Sequence, residues 1–171
     1  MKLLSVKHLV FCFLVMAFTI GLAAGYSEAG DRVSSACDLI SKEKVNEIFG
    51  TKFDEAKEAQ HRENGDLFMS LCTFNSSDPN SLDSCSVLIL YNPSLKDPKV
   101  AVEDHIKSFR EGIGNPNYAF EPVDNVGGAA LYDGAMKQLL VFNEGQMLIF
   151  QGFGKDQKKQ LIEMAGAVLN K

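Results

Sequence analysis

"AMKQLLVFNEGQMLIF", residues 135–150, is the stretch that decides the fold. Two runs of large apolar residues flank Glu144-Gly145, and a two-residue connection of this kind is typical of a tight β-hairpin. The turn sets the register, so residues equidistant from it are expected side by side on one face. One face pairs Phe142 with Met147 and Leu140 with Ile149, and the other pairs Val141 with Leu148 and Leu139 with Phe150. Both faces of the hairpin are therefore apolar.

The neighbouring residues extend the hairpin into a larger sheet. Asp133-Gly134 separates this stretch from "GGAALY", residues 127–132, and predicts a second two-residue turn. Earlier in the chain, Asn64-Gly65 predicts another hairpin, whose first arm is too polar to be more than an edge strand. "CSVLILYN", residues 85–92, predicts one more strand. The strand signals thus form two runs, one in each half of the chain.

Three helices are predicted between and after these runs. In residues 39–50, Ser41 is an N-cap and Gly50 a left-handed stop. In residues 97–114, Asp97 caps a helix that has Pro98 at its first position. The apolar face of that helix carries Val102, Ile106, Phe109 and Ile113. A C-terminal helix from about Asp156 to Asn170 is expected to bury Leu161, Met164, Ala165, Val168 and Leu169.

The order of elements is helix, three strands, helix, four strands, helix. Runs of strands broken by single helices predict an α+β fold, with helices packed on one face of an antiparallel sheet and a helix at the C-terminus. The two helix-then-sheet units allow an internal duplication, although the letters of the two halves agree little.

The N-terminal residues predict export. Residues 1–24 carry Lys2 and Lys7, an apolar run and small residues at the end, as a cleaved signal peptide does, with an uncleaved anchor as the alternative. Tyr26 stands where a lipid-accepting cysteine would follow "LAAG", so no stable membrane anchor is expected after cleavage. Residues 25–36 are expected to be a flexible lead-in and residues 37–171 a single domain, periplasmic or secreted.

The charge excludes some partners. The whole chain carries a net charge of -5, and removal of residues 1–24 takes away two lysines, which leaves about -7. Nucleic acid is therefore not an expected partner, since a phosphate backbone requires clustered Lys and Arg.

Three cysteines remain after signal cleavage, and an odd number in an oxidising compartment predicts one disulfide and one free thiol. A bond from Cys37 to Cys72 is preferred because it would join the N-terminal helix to the sheet. A bond from Cys72 to Cys85, across a hairpin, is the competing pairing.

The apolar second face of the closing hairpin is the feature that calls for a function. Strands from the first half of the chain could cover it and make it core. Otherwise Leu140, Phe142, Met147 and Ile149, with Tyr132 at the rim, form a surface that binds a protein, a small apolar ligand or a second copy of the chain.

Catalytic and metal-binding patterns are scarce in the sequence. There is no Gly-x-Ser-x-Gly turn, and the cysteine and histidine spacings match no zinc motif. A non-enzymatic domain without metal or cofactor is therefore predicted. One alternative is a periplasmic enzyme that uses Cys85 or a histidine, His61 or His105, with Asp83 or Glu103. The other is a passive envelope protein whose apolar face makes a homodimer.

Three segments together resemble a known family: "ACDLISKEKVNEIFG", "CTF" and "VDNVGGAALYDGAMKQLLVFNEGQMLIF". They are similar to a family of secreted bacterial domains of unknown function, found in actinobacterial lipoproteins, and to the extracellular sensor domain of a mycobacterial serine/threonine kinase. The resemblance covers Cys37 to about Leu169. It implies a disulfide between Cys37 and Cys72 and a role in binding or sensing outside the cytoplasm, and it supplies no catalytic residue. Tyr26 departs from the lipid-acceptor cysteine that such relatives often carry.

Overall fold

The computed structural model describes residues 34–81, 83–153 and 156–170. The predicted signal peptide, residues 1–24, and the predicted lead-in up to residue 33 lie outside the described residues. Of the rest of that lead-in, Ala36 is already part of the core: it is fully buried, and its backbone N–H donates to the Ser70 hydroxyl at 2.8 Å.

The described residues form one seven-stranded antiparallel sheet with three α-helices, an α+β fold as predicted. A short 3-10 helix, Ala36–Asp38, comes first. The α-helices are α1 (Lys42–Phe49), α2 (Pro98–Ile113) and α3 (Gln157–Leu169). The strands are β1 (Lys57–Asn64), β2 (Leu67–Asn75), β3 (Ser84–Tyr91), β4 (Glu121–Pro122), β5 (Ala129–Asp133), β6 (Gln138–Asn143) and β7 (Gln146–Gly152). Their order across the sheet is β1-β2-β3-β7-β6-β5-β4.

The predicted helix ends are confirmed by their capping groups. The Ser41 side chain accepts a hydrogen bond from the backbone of Lys44 at the start of α1, and Gly50 ends that helix with φ 65°. The Asp97 carboxylate accepts from two backbone N–H groups in the first turn of α2, whose first residue is Pro98. These local signals set where each helix begins and ends.

The turns agree with the sequence at one hairpin and differ at two. Glu144-Gly145 connects β6 to β7 as predicted, and the predicted register of that hairpin is confirmed. The connection of β5 to β6 is a four-residue turn, Gly134–Lys137, because the buried Asp133 carboxylate accepts from the backbone of Ala135 and Met136 and holds a wider loop. The first hairpin turns at Gly65-Asp66, one residue later than Asn64-Gly65.

Helices cover both faces of the sheet, not one. The closed face, which carries Leu139, Val141, Leu148 and Phe150, packs against α1 and α3 in the larger core. The open face, which carries Leu131, Leu140 and Phe142, packs against α2 in a smaller cluster. Each half of the chain begins with a helix, yet α1 and α2 lie on opposite faces, so the internal duplication stays a prediction.

The preferred disulfide is present. Cys37 is bonded to Cys72 and their Cα atoms are 5.0 Å apart, which joins the 3-10 helix to β2. Cys85 is a free, buried thiol on the closed face, so the competing bond from Cys72 to Cys85 is not formed.

The paired glycines before β5 are required by close packing. Gly127 has φ 61°, and a Cβ atom there would lie 2.5 Å from Cγ1 of the buried Val141. We expect Gly127→Ala to lower the free energy of unfolding by about 2–4 kcal/mol, because left-handed strain and overpacking add. Guanidinium denaturation measures this loss.

The matched control for that variant is Gly112→Ala in α2, where no neighbouring atom lies within 4 Å of the added Cβ. We expect this substitution to stabilise the helix by up to about 1 kcal/mol. A loss below about 1 kcal/mol for Gly127→Ala would show that the start of β5 is not packed as described.

Candidate functional site

The open face has two parts, one covered and one uncovered. Helix α2 packs on β5 and β6, with Ala101 over Leu131, Leu140 and Phe142. Strands β2, β3 and β7 carry six half-buried apolar side chains on the same face. They form one row of Met69, Leu90 and Met147 and a second row of Leu71, Leu88 and Ile149, each row directly paired across the three strands. We call these six side chains the open strip.

Polar side chains border the open strip on the side of β1 and at one end. Arg62 is paired directly with Met69, and Gln60 with Leu71, so both lie on the open face at the edge of the sheet. The next row after Leu88 is polar and consists of Thr73, Ser86 and Gln151. An apolar area with a polar border is typical of a binding surface.

A groove of about 450 Å³ runs between the open strip and α2. Its floor is formed by Leu90, Met147 and Phe142, so the groove and the strip share two side chains. The α2 wall is formed by Val100, Ala101, Asp104, His105 and Ser108. The loop after β3 lines one end with Asn92, Ser94, Leu95, Lys96 and Asp97. This volume falls within the usual range for small-ligand sites.

His105 contributes an aromatic side of the groove. Its ring centroid lies 5.6 Å from that of Phe142, 5.8 Å from Phe120 and 6.1 Å from Phe109. Burial among these rings lowers the pKa of the imidazole below its usual 6.5, and the charge of Asp133 opposes this shift in part. At neutral pH the groove therefore presents a neutral imidazole.

A partly buried hydrogen-bond cluster holds the segment after α2. The Tyr118 hydroxyl donates to Oδ1 of Asp133 at 2.7 Å, and this bond, with desolvation, raises the pKa of Tyr118 to about 12. The Arg110 Nε–H donates to the Tyr118 carbonyl at 2.9 Å. These bonds connect the end of α2 to β5 and give α2 a fixed position on the open face.

The structure separates the site residues expected from the sequence. Met147 and Ile149 lie in the open strip. Leu140 and Phe142 are 3% and 1% exposed because α2 covers them, so they belong to the core. Tyr132 is paired with Leu139 and lies on the closed face, where the Lys158 ammonium is 5.5 Å from its ring centroid.

Four side chains of the open strip were missed by the sequence analysis: Met69, Leu71, Leu88 and Leu90. A signal for them was present, because "LFMSLCTF" and "CSVLILY" carry apolar residues at both alternating sets of positions. The placement of α2 is what separates covered from uncovered positions, and that placement is a tertiary feature.

The groups named for the enzymatic alternative lie in separate parts of the domain. Cys85 is 2% exposed, and burial raises its pKa to about 12, which keeps the thiol protonated and unreactive at neutral pH. Cys85 lies on the closed face and His105 on the open face. Asp83 lies near Phe49 and Asp156, and Glu103 faces a groove on the other side of α2 from His105.

His61 lies in a small polar cluster at the edge of the sheet. Its Nδ1 is 3.2 Å from Oε1 of Glu58, and the hydroxyls of Ser35 and Ser70 donate to that same oxygen. A serine, histidine and acid relay needs the imidazole between the hydroxyl and the carboxylate. Here the carboxylate stands between the hydroxyls and the imidazole, so the cluster is arranged to hold the edge of the sheet together.

This cluster makes a prediction about pH. Hydrogen bonds from Ser70, His61 and Ser35 lower the pKa of Glu58 below its usual 4.5. A depressed carboxylate pKa stabilises the fold above the unfolded-state value, and the contribution disappears as the pH falls through the folded-state pKa. We expect the stability difference between wild type and Glu58→Gln to be largest above about pH 5 and to vanish in stronger acid. Urea denaturation over this range measures it, and a pH-independent difference would contradict it.

Two further features of the described residues concern metal binding and membrane insertion. Within residues 34–81, 83–153 and 156–170, no group of three or more His, Cys, Asp or Glu side chains is placed to hold a metal ion. Across the same residues, no helix is both long and apolar enough to span a membrane.

The fold and the site together define an α+β domain in which a disulfide joins the 3-10 helix to β2 and one part of the sheet face is only partly buried. No family model matches the chain, and no curated protein or solved structure matches it. The resemblance to the secreted bacterial family therefore stays a prediction.

Proposed function

We propose that this protein is an exported, non-enzymatic binding or sensing domain that recognises a protein or a small apolar ligand on the open strip and its adjoining groove. One observation carries the proposal: six large apolar side chains, each partly exposed, form a contiguous array on the sheet face beside α2. Apolar side chains that stay partly exposed side by side are typical of interaction sites.

Two further features support this proposal. The Cys37–Cys72 disulfide suits an oxidising compartment, as the signal-like N-terminus does. Arg110 of α2 is connected through Tyr118 to Asp133 of β5, and these bonds give the groove a preformed wall. A preformed surface binds at lower entropic cost than one that must be ordered.

The test is binding of N-phenyl-1-naphthylamine, a neutral fluorescent apolar probe, to wild type and to the Leu90→Gln/Met147→Gln double variant. We expect the double variant to lose at least about tenfold in probe affinity, because both side chains form the floor of the groove. The matched control is Met136→Gln, which alters a 50% exposed methionine in the turn between β5 and β6.

Probe affinity that is equal in the double variant and the control would contradict the proposal. Circular dichroism and denaturation midpoints identify folded variants, since the open strip is half-buried. Sedimentation at several concentrations measures the oligomeric state and so tests the homodimer alternative, in which a second copy of the chain already occupies the strip.

A further inference from the structure

A separate cavity lies where α1 and α3 meet the start of β3 and the end of β7. Its volume is about 410 Å³, and it shares no lining residue with the groove beside α2. Three of its lining residues are aromatic: Phe49 at the end of α1, Phe53 in the following loop and Phe153 after β7. The Phe49 and Phe53 rings meet edge to face with their centroids 5.7 Å apart. The Phe153 ring is 43% exposed, at the rim.

The polar groups of this cavity are mainly hydrogen-bond acceptors. They are the carboxylates of Asp83 and Asp156, the Thr51 hydroxyl and the side-chain amide of Gln160. The Gln160 amide is oriented, because its Nε2 donates to the Ile48 carbonyl at 3.5 Å. Its Oε1 is buried and has no hydrogen-bond partner, which is costly for a buried acceptor. The cavity therefore holds more acceptors than the surrounding chain satisfies.

The described chain does not neutralise the two carboxylates. Among residues 34–81, 83–153 and 156–170, no basic side chain makes an ion pair with Asp83, which is half-buried, or with Asp156. Asp156 is the N-cap residue of α3, yet its side chain makes no capping hydrogen bond. An aspartate at this position usually accepts from the first turn of its helix. Here the carboxylate lines the cavity instead.

Backbone hydrogen bonds fix the walls of the cavity. The Phe53 N–H donates to Oδ1 of Asn46 at 2.8 Å, and the Phe153 N–H donates to the first residue of β3 at 3.1 Å. The Asp83 carbonyl accepts from the Ser76 N–H at 2.9 Å. A cavity with walls held in this way is preformed, so a ligand does not have to order it.

We propose that this cavity binds a small organic cation, namely a protonated amine on an apolar body. Ammonium N–H groups form charge-assisted hydrogen bonds with carboxylates, and aromatic rings attract a cation while they cover its apolar body. A divalent metal ion fits less well, because it requires about six or more oxygen ligands, whereas much of this lining is aromatic. The inference goes beyond the proposed function and does not rest on the open strip.

The experiment compares three indole compounds of nearly the same size. The side chain of tryptamine ends in an ammonium group, that of tryptophol in a hydroxyl group and that of indole-3-propionate in a carboxylate. The protein contains no tryptophan, so indole fluorescence comes from the probe alone, and its anisotropy measures binding. The proteins are wild type, Asp83→Asn, Asp156→Asn and the double variant Asp83→Asn/Asp156→Asn. The matched control is Asp124→Asn, which removes an exposed carboxylate that does not line the cavity.

We expect wild type to bind tryptamine at least about fivefold more tightly than tryptophol, and indole-3-propionate most weakly. Each single variant should reduce the preference for tryptamine, and the double variant should bind tryptamine and tryptophol equally. Asp124→Asn should behave as wild type. Asparagine has the size of aspartate and is an equally good N-cap, so the variants are expected to fold, which circular dichroism checks.

The other outcomes overturn the inference. Equal binding of the three compounds to wild type, no tryptamine binding, or a preference for tryptamine that survives in the double variant removes the amine site. Displacement of tryptamine by calcium ions makes a metal the occupant. Loss of tryptamine binding in Leu90→Gln/Met147→Gln places the amine on the open strip. Failure of the amine site leaves the proposed function in place, since the naphthylamine probe tests that function separately.

Discussion

Replacing Phe142 by aspartate is expected to unfold the domain or to lower its free energy of unfolding by more than about 4 kcal/mol. Phe142 is 1% exposed and lies between α2 and the sheet, with its ring 5.6 Å from that of His105. Truncating a buried phenylalanine costs about 3–5 kcal/mol, and the new carboxylate would in addition lie in an apolar environment without a cationic partner. Guanidinium denaturation followed by circular dichroism measures the loss.

Met147 provides the control, because it is paired directly with Phe142 across the β6–β7 hairpin and yet lies in the open strip. We expect Met147→Gln to cost less than about 1 kcal/mol, since its side chain remains in contact with water. If Phe142→Asp does not fold at all, Phe142→Ala should still fold with a loss of about 3–5 kcal/mol. A stable, folded Phe142→Asp protein would mean that α2 does not cover β6.

Removing the disulfide is expected to cost about 3–4 kcal/mol. The bond joins residues 35 positions apart, and the chain-entropy relation for a loop of that length gives a stabilisation of this size. The Cys37→Ala/Cys72→Ala variant, compared with wild type by urea denaturation, measures the loss.

A variant without the free thiol gives an independent check of the disulfide's contribution to the free energy of unfolding. In Cys85→Ala, addition of a reductant should lower the stability as much as it does in wild type, because Cys85 takes no part in the bond. If reductant changes the stability of either protein by less than about 1 kcal/mol, the disulfide between the 3-10 helix and β2 does not stabilise the domain as described.

Much of the fold follows from local signals. The Ser41 and Asp97 caps, the Gly50 stop and the Glu144-Gly145 turn all act within a few residues, so the helix ends and the closing hairpin could be predicted. The wider turn after Asp133 could not, because its shape depends on a carboxylate that is buried only in the folded domain.

The sequence of α2 alone does not predict which face of the sheet this helix covers. Its apolar stripe would fit either side of the sheet, and the run from Leu139 to Phe142 is apolar on both sides. The candidate site depends on that choice. Once α2 covers Leu140 and Phe142, the uncovered surface shifts across β7 towards β3 and β2, and only Met147 and Ile149 remain from the expected set.

The pairing of distant strands is the second feature beyond local reasoning. Met69 and Met147 lie in one row although 78 positions of sequence separate them, because β3 pairs with β2 on one side and with β7 on the other. Each strand alone looks like a core strand with apolar residues on both faces. Only the assembled sheet shows that three such strands leave one face uncovered.

The most direct test of the open strip uses the methionine methyl groups as reporters in NMR spectra. Met69 and Met147 lie in the strip, Met136 is exposed in a turn, and Met164 is fully buried on the closed face. On titration with N-phenyl-1-naphthylamine, we predict saturable shifts of the Met69 and Met147 signals while Met136 and Met164 stay in place. Shifts confined to Met136 or Met164, or no saturable shift at all, would contradict a binding surface on the open face.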